Sequence, residues 1–191
     1  MREGSFTRRL VEIALEGAQQ AGAQTRLLDL GDYDLKLDDL DHKSPPPNVV
    51  SLRQDVKAAH GLIIGTPEYH SSFSGVLKHA LDLMGFEEFE GKLVGLIGVA
   101  GGRMGAANSL SALRMVGRSL HAWVIPEQLS IPEAWQVFDQ QGQLTDTNIQ
   151  ASLHKIGRQV ARFAFLHHSE HAIEFLQRWE TAPDNPGGAR G

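Results

Sequence analysis

Residues 61–75 read GLIIGTPEYHSSFSG, an apolar run that opens abruptly into proline, carboxylate, phenol, imidazole and hydroxyl side chains. The first five residues carry no charge and predict a strand that is buried on both faces. The residues that follow are polar, and Ser74 precedes the apolar stripe of a helix. A plain turn needs fewer functional groups, so we interpret the segment as a strand, a ligand-binding loop and the start of a helix.

Apolar strands and amphipathic helices alternate along the rest of the chain. The spacing of apolar residues predicts helices over 5–20, 49–60, 74–84, 106–120 and 147–165, the last continuing to 181 as a packing or assembly element. Apolar runs predict strands over 24–30, 61–66, 92–100 and 123–131, and a small extended hairpin over 136–144. This order favours one α/β domain over residues 1–181, with a parallel sheet covered on both faces and a disordered tail over 182–191.

The composition excludes several classes of protein. The chain has no cysteine, which excludes disulfides, thiol nucleophiles and thiolate-bound iron–sulfur clusters or zinc. Its net charge is −5 and it has no basic cluster, so we expect no nucleic-acid partner. No apolar run approaches the roughly 20 residues that cross a bilayer, and we expect a soluble, cytoplasmic protein. The nine histidines show no recognised ligand spacing, so we expect no metal site.

Two loops, 65–75 and 100–105, follow buried strands and therefore lie at the same edge of the predicted sheet. That edge offers hydroxyls at a helix N-terminus for a phosphate and glycine backbone for an aromatic ring. The hydroxyls belong to Ser71, Ser72 and Ser74, and the glycines are Gly101, Gly102 and Gly105. For either loop alone an alternative remains open, because Ser74 could merely cap a helix and the glycines could merely turn the chain.

One segment carries a family resemblance. Residues 66–85, TPEYHSSFSGVLKHALDLMG, resemble the signature Thr-Pro-Glu-Tyr-Asn-x-Ser-x-x-Gly-x-Leu-Lys-Asn-Ala-x-Asp of the NAD(P)H-dependent FMN reductase family. Residues 1–10, MREGSFTRRL, are similar to the end of that family's first phosphate loop. The resemblance implies a flavodoxin-like fold, which is a three-layer sandwich with a parallel sheet, and an activity on flavins, quinones, azo compounds or chromate.

The resemblance also implies which residues bind the cofactor FMN. The phosphate side would be formed by Arg2, Ser5, Thr7, Ser71 and Ser72, and the flavin would be lined by Pro67, Glu68, Tyr69, His70, Gly101, Gly102 and Arg103. No side chain need be a catalytic acid or base, because the cofactor carries the chemistry. We expect NADPH, or NADH, to reduce FMN in a ping-pong reaction that then reduces a small-molecule acceptor. Family members form homodimers or homotetramers, and we expect the same here.

The chain departs from the family pattern at two places. His70 stands where asparagine is usual, which replaces an amide by a ring whose charge changes near neutral pH. Met1 falls inside the expected phosphate loop, so the first strand of the sheet is apparently lacking. We expect that the start was assigned to an internal methionine and that roughly a dozen upstream residues belong to the native protein.

Two alternatives to a reductase remain at this level. One is a flavodoxin-type electron carrier, although such carriers tend to be more acidic than this chain. The other is a non-catalytic homologue that has lost FMN binding through truncation. Sequence does not identify the electron acceptor, because similar sites take quinones, azo dyes, metal oxyanions and free flavin.

Overall fold

The computed structural model describes residues 4–37 and 44–182, which form a four-stranded sheet flanked by helices. The strands are β1 (Gly61–Tyr69), β2 (Ser72–Phe73), β3 (Leu93–Val99) and β4 (Trp123–Ile131). Their order across the sheet is β2-β1-β3-β4. The three long strands are parallel, and β2 turns back antiparallel against the end of β1. The predicted parallel α/β sheet is confirmed.

The helices follow the predicted order. They are α1 (Phe6–Gln20), α2 (Pro47–Lys57), α3 (Gly75–Asp82), α4 (Phe86–Phe89), α5 (Ala107–Ser119), α6 (Thr147–His168) and α7 (Glu170–Glu180), with a short 3-10 helix at Leu30–Tyr33. The prediction of one continuous helix to residue 181 is wrong, because Ser169 has extended backbone angles and separates α6 from α7. None of the described helices is both long and apolar enough to cross a membrane.

Two apolar cores cover the two faces of the sheet. The first lies under α1 and α6, and the second lies under α2, α3 and α5. Successive residues of β1 alternate between them, since Ile63 packs on the first core while Leu62 and Ile64 pack on the second. The first core is tight because α1 and α6 touch through Gly157, where an added Cβ would lie 1.9 Å from the carbonyl oxygen of Ala14.

The predicted strand over 24–30 is wrong, because residues 24–29 have no regular secondary structure and residue 30 begins the 3-10 helix. Its side chains still alternate, with Leu27 on the first core and Leu28 on the second. A strand is defined by its ladder of hydrogen bonds, and no described strand lies beside this segment. Residues 1–3 and the tail 183–191 lie outside the described residues, so the missing first strand and the disordered tail stay predictions.

Burial of β1 also differs from expectation. The apolar run Gly61–Gly65 is only half-buried, whereas every residue of β3, which has a similar composition, is buried. The two strands differ in their neighbours, because β3 is paired along both edges, while on the second edge of β1 the described residues provide a partner only at Ser72–Phe73 of β2. The edge of β1 that no described strand covers therefore exposes side chains that the sequence pattern assigns to the interior.

Candidate functional site

The carboxyl end of β1 forms a tight hairpin with β2. Tyr69 pairs with Ser72, and the two residues between them, His70 and Ser71, have φ values of 51° and 63°. A two-residue turn with positive φ at both central positions is favoured by asparagine and glycine, which adopt this conformation at low cost. The hairpin holds both side chains exposed at the mouth of the site.

Thr66 links this hairpin to the helix that follows through two hydrogen bonds of its hydroxyl. Its side chain is buried, and its hydroxyl accepts a hydrogen bond from the backbone N–H of Ser74 at 3.1 Å and donates one to the carbonyl of Pro67 at 2.9 Å. The Ser74 hydroxyl in turn accepts from the N–H of Leu77 at 3.2 Å. Ser74 is therefore the N-cap of α3, which is the capping alternative left open by the sequence.

Glu68 has a structural partner that the sequence did not indicate. Its carboxylate accepts a hydrogen bond of 3.0 Å from the backbone N–H of Ser109, in the first turn of α5. The N-cap residue of α5 is Ala106, whose side chain makes no capping hydrogen bond. Glu68 of β1 therefore caps the N-terminus of α5 in its place. One carboxylate thus joins the carboxyl end of β1 to the first turn of α5.

The glycines of the loop 100–105 divide into two kinds. Gly101 and Gly102 are exposed, and a Cβ added to either would meet no atom within 4 Å. Gly105 is buried with φ +68°, and an added Cβ would lie 2.4 Å from the hydroxyl of Ser130. Glycine is therefore required at position 105 by the close approach of Ser130, whereas Gly101 and Gly102 border open space. Arg103 beside them is 89% exposed, with its Nε 3.6 Å from a carboxylate oxygen of Glu133.

The N-terminus of α1 lies at the same edge of the sheet. Ser5 is the N-cap, and its hydroxyl accepts from the N–H of Arg8 at 3.4 Å. Thr7 follows in the first turn, where backbone N–H groups have no partner within a helix and the helix dipole is positive. Arg2 lies outside the described residues, so its predicted place in this loop stays a prediction.

Two adjacent cavities bring most of the predicted residues together. We call the larger one the long groove, which has a volume of about 2220 Å³. Its end at this edge of the sheet is lined by Ser5, Thr7, Pro67, Glu68, Tyr69, Gly101 and Trp135. The second, which we call the small pocket, has a volume of about 220 Å³ and is lined by Glu68, His70, Ser71, Gly101, Gly102 and Arg103. Ser72, which lies in β2, lines neither cavity.

Trp135 is a site residue that the sequence reasoning missed. It follows the carboxyl end of β4, is 60% exposed and lines the long groove beside Tyr69 and Gly101. An aromatic side chain soon after a strand predicted to end at Ile131 was a usable signal, because all parallel strands deliver their loops to the same edge. Within residues 4–37 and 44–182 no cluster of three potential metal ligands occurs.

A charged cluster lies at the wall of the long groove, which Arg26 and Asp55 line. The hydroxyl of Tyr33 donates to Asp55 at 2.6 Å, and Arg26 donates to the same carboxylate at 2.9 Å. Burial and this hydrogen bond raise the pKa of Tyr33 to about 12. The hydrogen bond from Tyr33, together with Arg26, lowers the pKa of Asp55 below its ordinary value. The cluster ties the segment that follows α1 to α2.

Comparisons with known proteins agree on one family. The family model for NADPH-dependent FMN reductase matches residues 1–136. An FMN-dependent NADPH-azoreductase from Staphylococcus aureus (strain USA300) is 35% identical over 133 residues, which cover 66% of this chain and 69% of that protein.

Solved structures show what fold the chain shares with known proteins. The flavoenzyme NAD(P)H:(acceptor) oxidoreductase FerB from Paracoccus denitrificans superimposes with a TM-score of 0.61 at 25% identity, covering 87% of this chain and 93% of that chain. An apo NADH:FMN oxidoreductase (EMOB) superimposes with a TM-score of 0.66 at 19% identity, covering 91% and 94%. The fold is flavodoxin-like, as predicted.

Proposed function

This chain belongs to the NADPH-dependent FMN reductase family, and from that premise we propose which of its residues hold FMN and admit the second substrate. The protein is an NAD(P)H-dependent FMN oxidoreductase, with FMN and NADPH as cofactors and a small molecule as electron acceptor. FMN when bound supplies a ring that takes a hydride from a nicotinamide and passes electrons on. The residues of the site bind FMN, orient it and set the electrostatic environment of its ring.

The phosphate of FMN is assigned to the N-terminus of α1. Ser5 and Thr7 line the long groove there, at the positive end of a 15-residue helix whose first turn has backbone N–H groups without a helical acceptor. This group of donors suits a dianionic phosphate, and it lies in the same cavity as Tyr69 and Gly101. Arg2 would add a guanidinium to this site.

The ring of FMN is assigned to the space between the β1–β2 hairpin and the loop 100–105. The observation that carries this assignment is the open surface over Gly101 and Gly102, where an added Cβ would touch no protein atom. A planar ring can approach such backbone closely, and its N–H groups can then stabilise negative charge on the ring. Tyr69 and Trp135 line the adjoining end of the long groove and offer aromatic faces beside this space.

We assign the nicotinamide and the electron acceptor to the same exposed face of the bound flavin. Because only one of them can occupy this face at a time, they react in turn, as in a ping-pong reaction. Arg103 at the rim is 89% exposed, and we assign it to the anionic groups of the entering substrate. No side chain of this site is required to transfer a proton for the hydride step.

The assignment of the ring is tested by Gly102→Ala. The added methyl group meets no protein atom, so thermal stability without FMN should stay unchanged. If the ring lies against Gly102, the methyl group forces an overpacked contact of about 1–3 kcal/mol, and FMN should bind about 5–150-fold more weakly. The dissociation constant is measured by quenching of flavin fluorescence.

Gly85→Ala is the matched control, because a Cβ at Gly85 also meets no atom within 4 Å and this residue lines neither cavity. Equal FMN affinity in wild type and Gly102→Ala would refute the placement of the ring. A wild-type protein that stays colourless after addition of FMN would favour the non-catalytic alternative instead. Bleaching of the flavin absorbance by NADPH would distinguish the enzyme from a carrier that is reduced only by a protein partner.

We also propose that the protein acts as a homodimer or homotetramer. Tyr69, Met104 and Trp135 at the mouth of the site are 61%, 92% and 60% exposed. Large exposed apolar side chains grouped around one opening are typical of an interaction surface. Sedimentation velocity over a range of protein concentrations tests this proposal, and a purely monomeric species would refute it.

A further inference from the structure

The last helix, α7, is not part of the packed interior of the protein. None of its residues is buried, and none of its side chains belongs to either apolar core of the described residues. The helix has 11 residues, and isolated helices shorter than about 12–15 residues are marginal in water. A stable α7 therefore needs a packing surface that the described part of one chain does not provide.

One side of α7 is apolar and has an acidic residue at each end. Ile173, Leu176 and Trp179 are exposed and recur every third residue, so they form one stripe along the helix. Glu170 lies one turn before Ile173, and Glu180 lies one turn after Leu176. Neither glutamate makes an ion pair with any described residue. This side of α7 fits a surface that is apolar and basic.

The outer face of α6 has both properties. Arg158, Arg162 and Phe165 are exposed and follow one another at intervals of one turn, and Leu166 is exposed beside them. Neither arginine makes a hydrogen bond or an ion pair with a residue that the structure describes. The opposite side of α6, which includes Val160, is buried in the first core. The charges of this outer face are therefore free to pair with an acidic helix.

The α7 helix cannot reach this face on its own chain. A single residue, Ser169, separates the end of α6 at His168 from the start of α7 at Glu170. Two helices that pack antiparallel need a connection of about 2–5 residues. The complementary surface is therefore available to α7 only on another molecule, and a second copy of this chain carries it.

We propose that α7 packs antiparallel on the outer face of α6 of a second copy, whose own α7 packs on the first copy in the same way. Seven residues separate Arg158 from Phe165, and seven also separate Ile173 from Glu180. An antiparallel register that sets Ile173 on Phe165 of the second copy therefore sets Glu180 beside Arg158 of that copy. Each contact occurs twice, because a two-fold pair uses the same surface on both copies.

This interface lies away from the cofactor site. The ring of His168, at the end of α6, is 4.6 Å from that of His60, which immediately precedes β1. His167 lies 6.1 Å from Trp123, the first residue of β4, again between ring centroids. The end of α6 is therefore at the amino edge of the parallel strands, whereas the candidate site is at their carboxyl edge. The α6–α7 contact is independent of FMN and of the exposed surface around Tyr69.

Charge reversal followed by mixing tests the contact. Arg158→Glu places two carboxylates together, and Glu180→Arg places two guanidinium groups together, so each variant should self-associate through this interface about tenfold more weakly at low salt. An equimolar mixture of the two variants should associate as tightly as the wild type, because both unlike pairs are restored between the copies. Sedimentation velocity without FMN measures the association.

Glu87→Arg is the matched control, because it makes the same charge change at an exposed residue of α4, which packs on the second core. This variant should associate as the wild type does. Wild-type association of both Arg158→Glu and Glu180→Arg would overturn the proposal, and so would a mixture that associates no more tightly than either variant alone. These charge changes leave the surface around Tyr69 intact, so the two proposals about association fail separately.

Hydrogen exchange gives a local measurement of the same contact. Backbone amides of 173–180 in the wild type should exchange more slowly as the protein concentration rises, because α7 is stabilised only when a second copy covers it. Exchange that is equally slow at every concentration would show that α7 packs on its own chain. Exchange that is equally fast at every concentration would show that no second copy covers the helix. Either result would overturn the proposal.

Discussion

The hairpin at the mouth of the site provides the sharpest stability prediction. His70 and Ser71 have φ values of 51° and 63°, and His70 is exposed, so its packing contributes little. The left-handed region costs an ordinary L-residue about 1–2 kcal/mol, and asparagine avoids part of this cost. We therefore expect His70→Asn to stabilise the protein by about 0.5–1 kcal/mol. For a chain of this size the melting temperature rises by about 1–4 °C.

The measurement is thermal unfolding by circular dichroism in the absence of FMN. His171→Asn is the matched control, because it makes the same chemical change at an exposed residue of α7 with helical backbone. Histidine and asparagine have similar helix propensities, so this variant should change stability very little. A Tm of His70→Asn that is equal to or below that of the wild type, with the control unchanged, would refute the reasoning.

The same variant separates the conformational role of residue 70 from a role at the flavin. If His70 acts only through the turn, FMN affinity and the pH dependence of the midpoint potential should match those of the wild type. A changed slope of the midpoint potential between pH 5 and 8 would instead show that the imidazole contacts the ring. The family signature has asparagine here, and the positive φ explains that preference in physical terms.

Two further predictions concern groups with unusual environments. Because the pKa of Tyr33 is raised from 10.0 to about 12, folding favours the neutral phenol, so this stabilisation is complete below pH 10 and is lost as the pH rises towards 12. Urea unfolding at pH 8 and pH 11 should therefore show a smaller loss of stability in Tyr33→Phe than in the wild type, and the exposed Tyr69→Phe should keep the wild-type loss; equal losses in all three proteins would contradict this. The buried Lys92 donates to the carbonyls of Val56 and Lys57 at 2.6 and 2.8 Å, so Lys92→Met should destabilise the protein by about 1.5–3 kcal/mol. The exposed Lys57→Met should have little effect, and a Lys92→Met variant as stable as this control in urea would show that the two carbonyls need no partner.

The sequence predicted the helices and the parallel strands well where their signals are local. Ser5 and Ser74 were identified as helix starts, and the structure confirms both as N-caps. The strand over 123–131 has the predicted bounds. These features depend on residues three or four apart or on a continuous apolar run, so the information lies within the element itself.

The sequence predicted several residues that line the site but not the hydrogen bonds between them. Pro67, Glu68, Tyr69 and Gly101 do line one cavity, because parallel strands deliver their loops to the same edge. The hydrogen bond from Ser109 to Glu68 was not foreseen, since the two residues are 41 positions apart and no periodic pattern links them. Trp135 was not predicted, because residues 132–136, PEAWQ, contain neither the glycines nor the hydroxyls that marked the other two loops.

By itself, the sequence determined the fold class, the edge at which the site lies and the family to which the chain belongs. Only the tertiary structure decided that residues 24–30 form no strand and that β1 is half-buried. The physical reason is that an apolar segment becomes a strand only when a neighbour completes its hydrogen-bond ladder. Whether that neighbour is present is a property of the assembled sheet, which the pattern of a single segment does not contain.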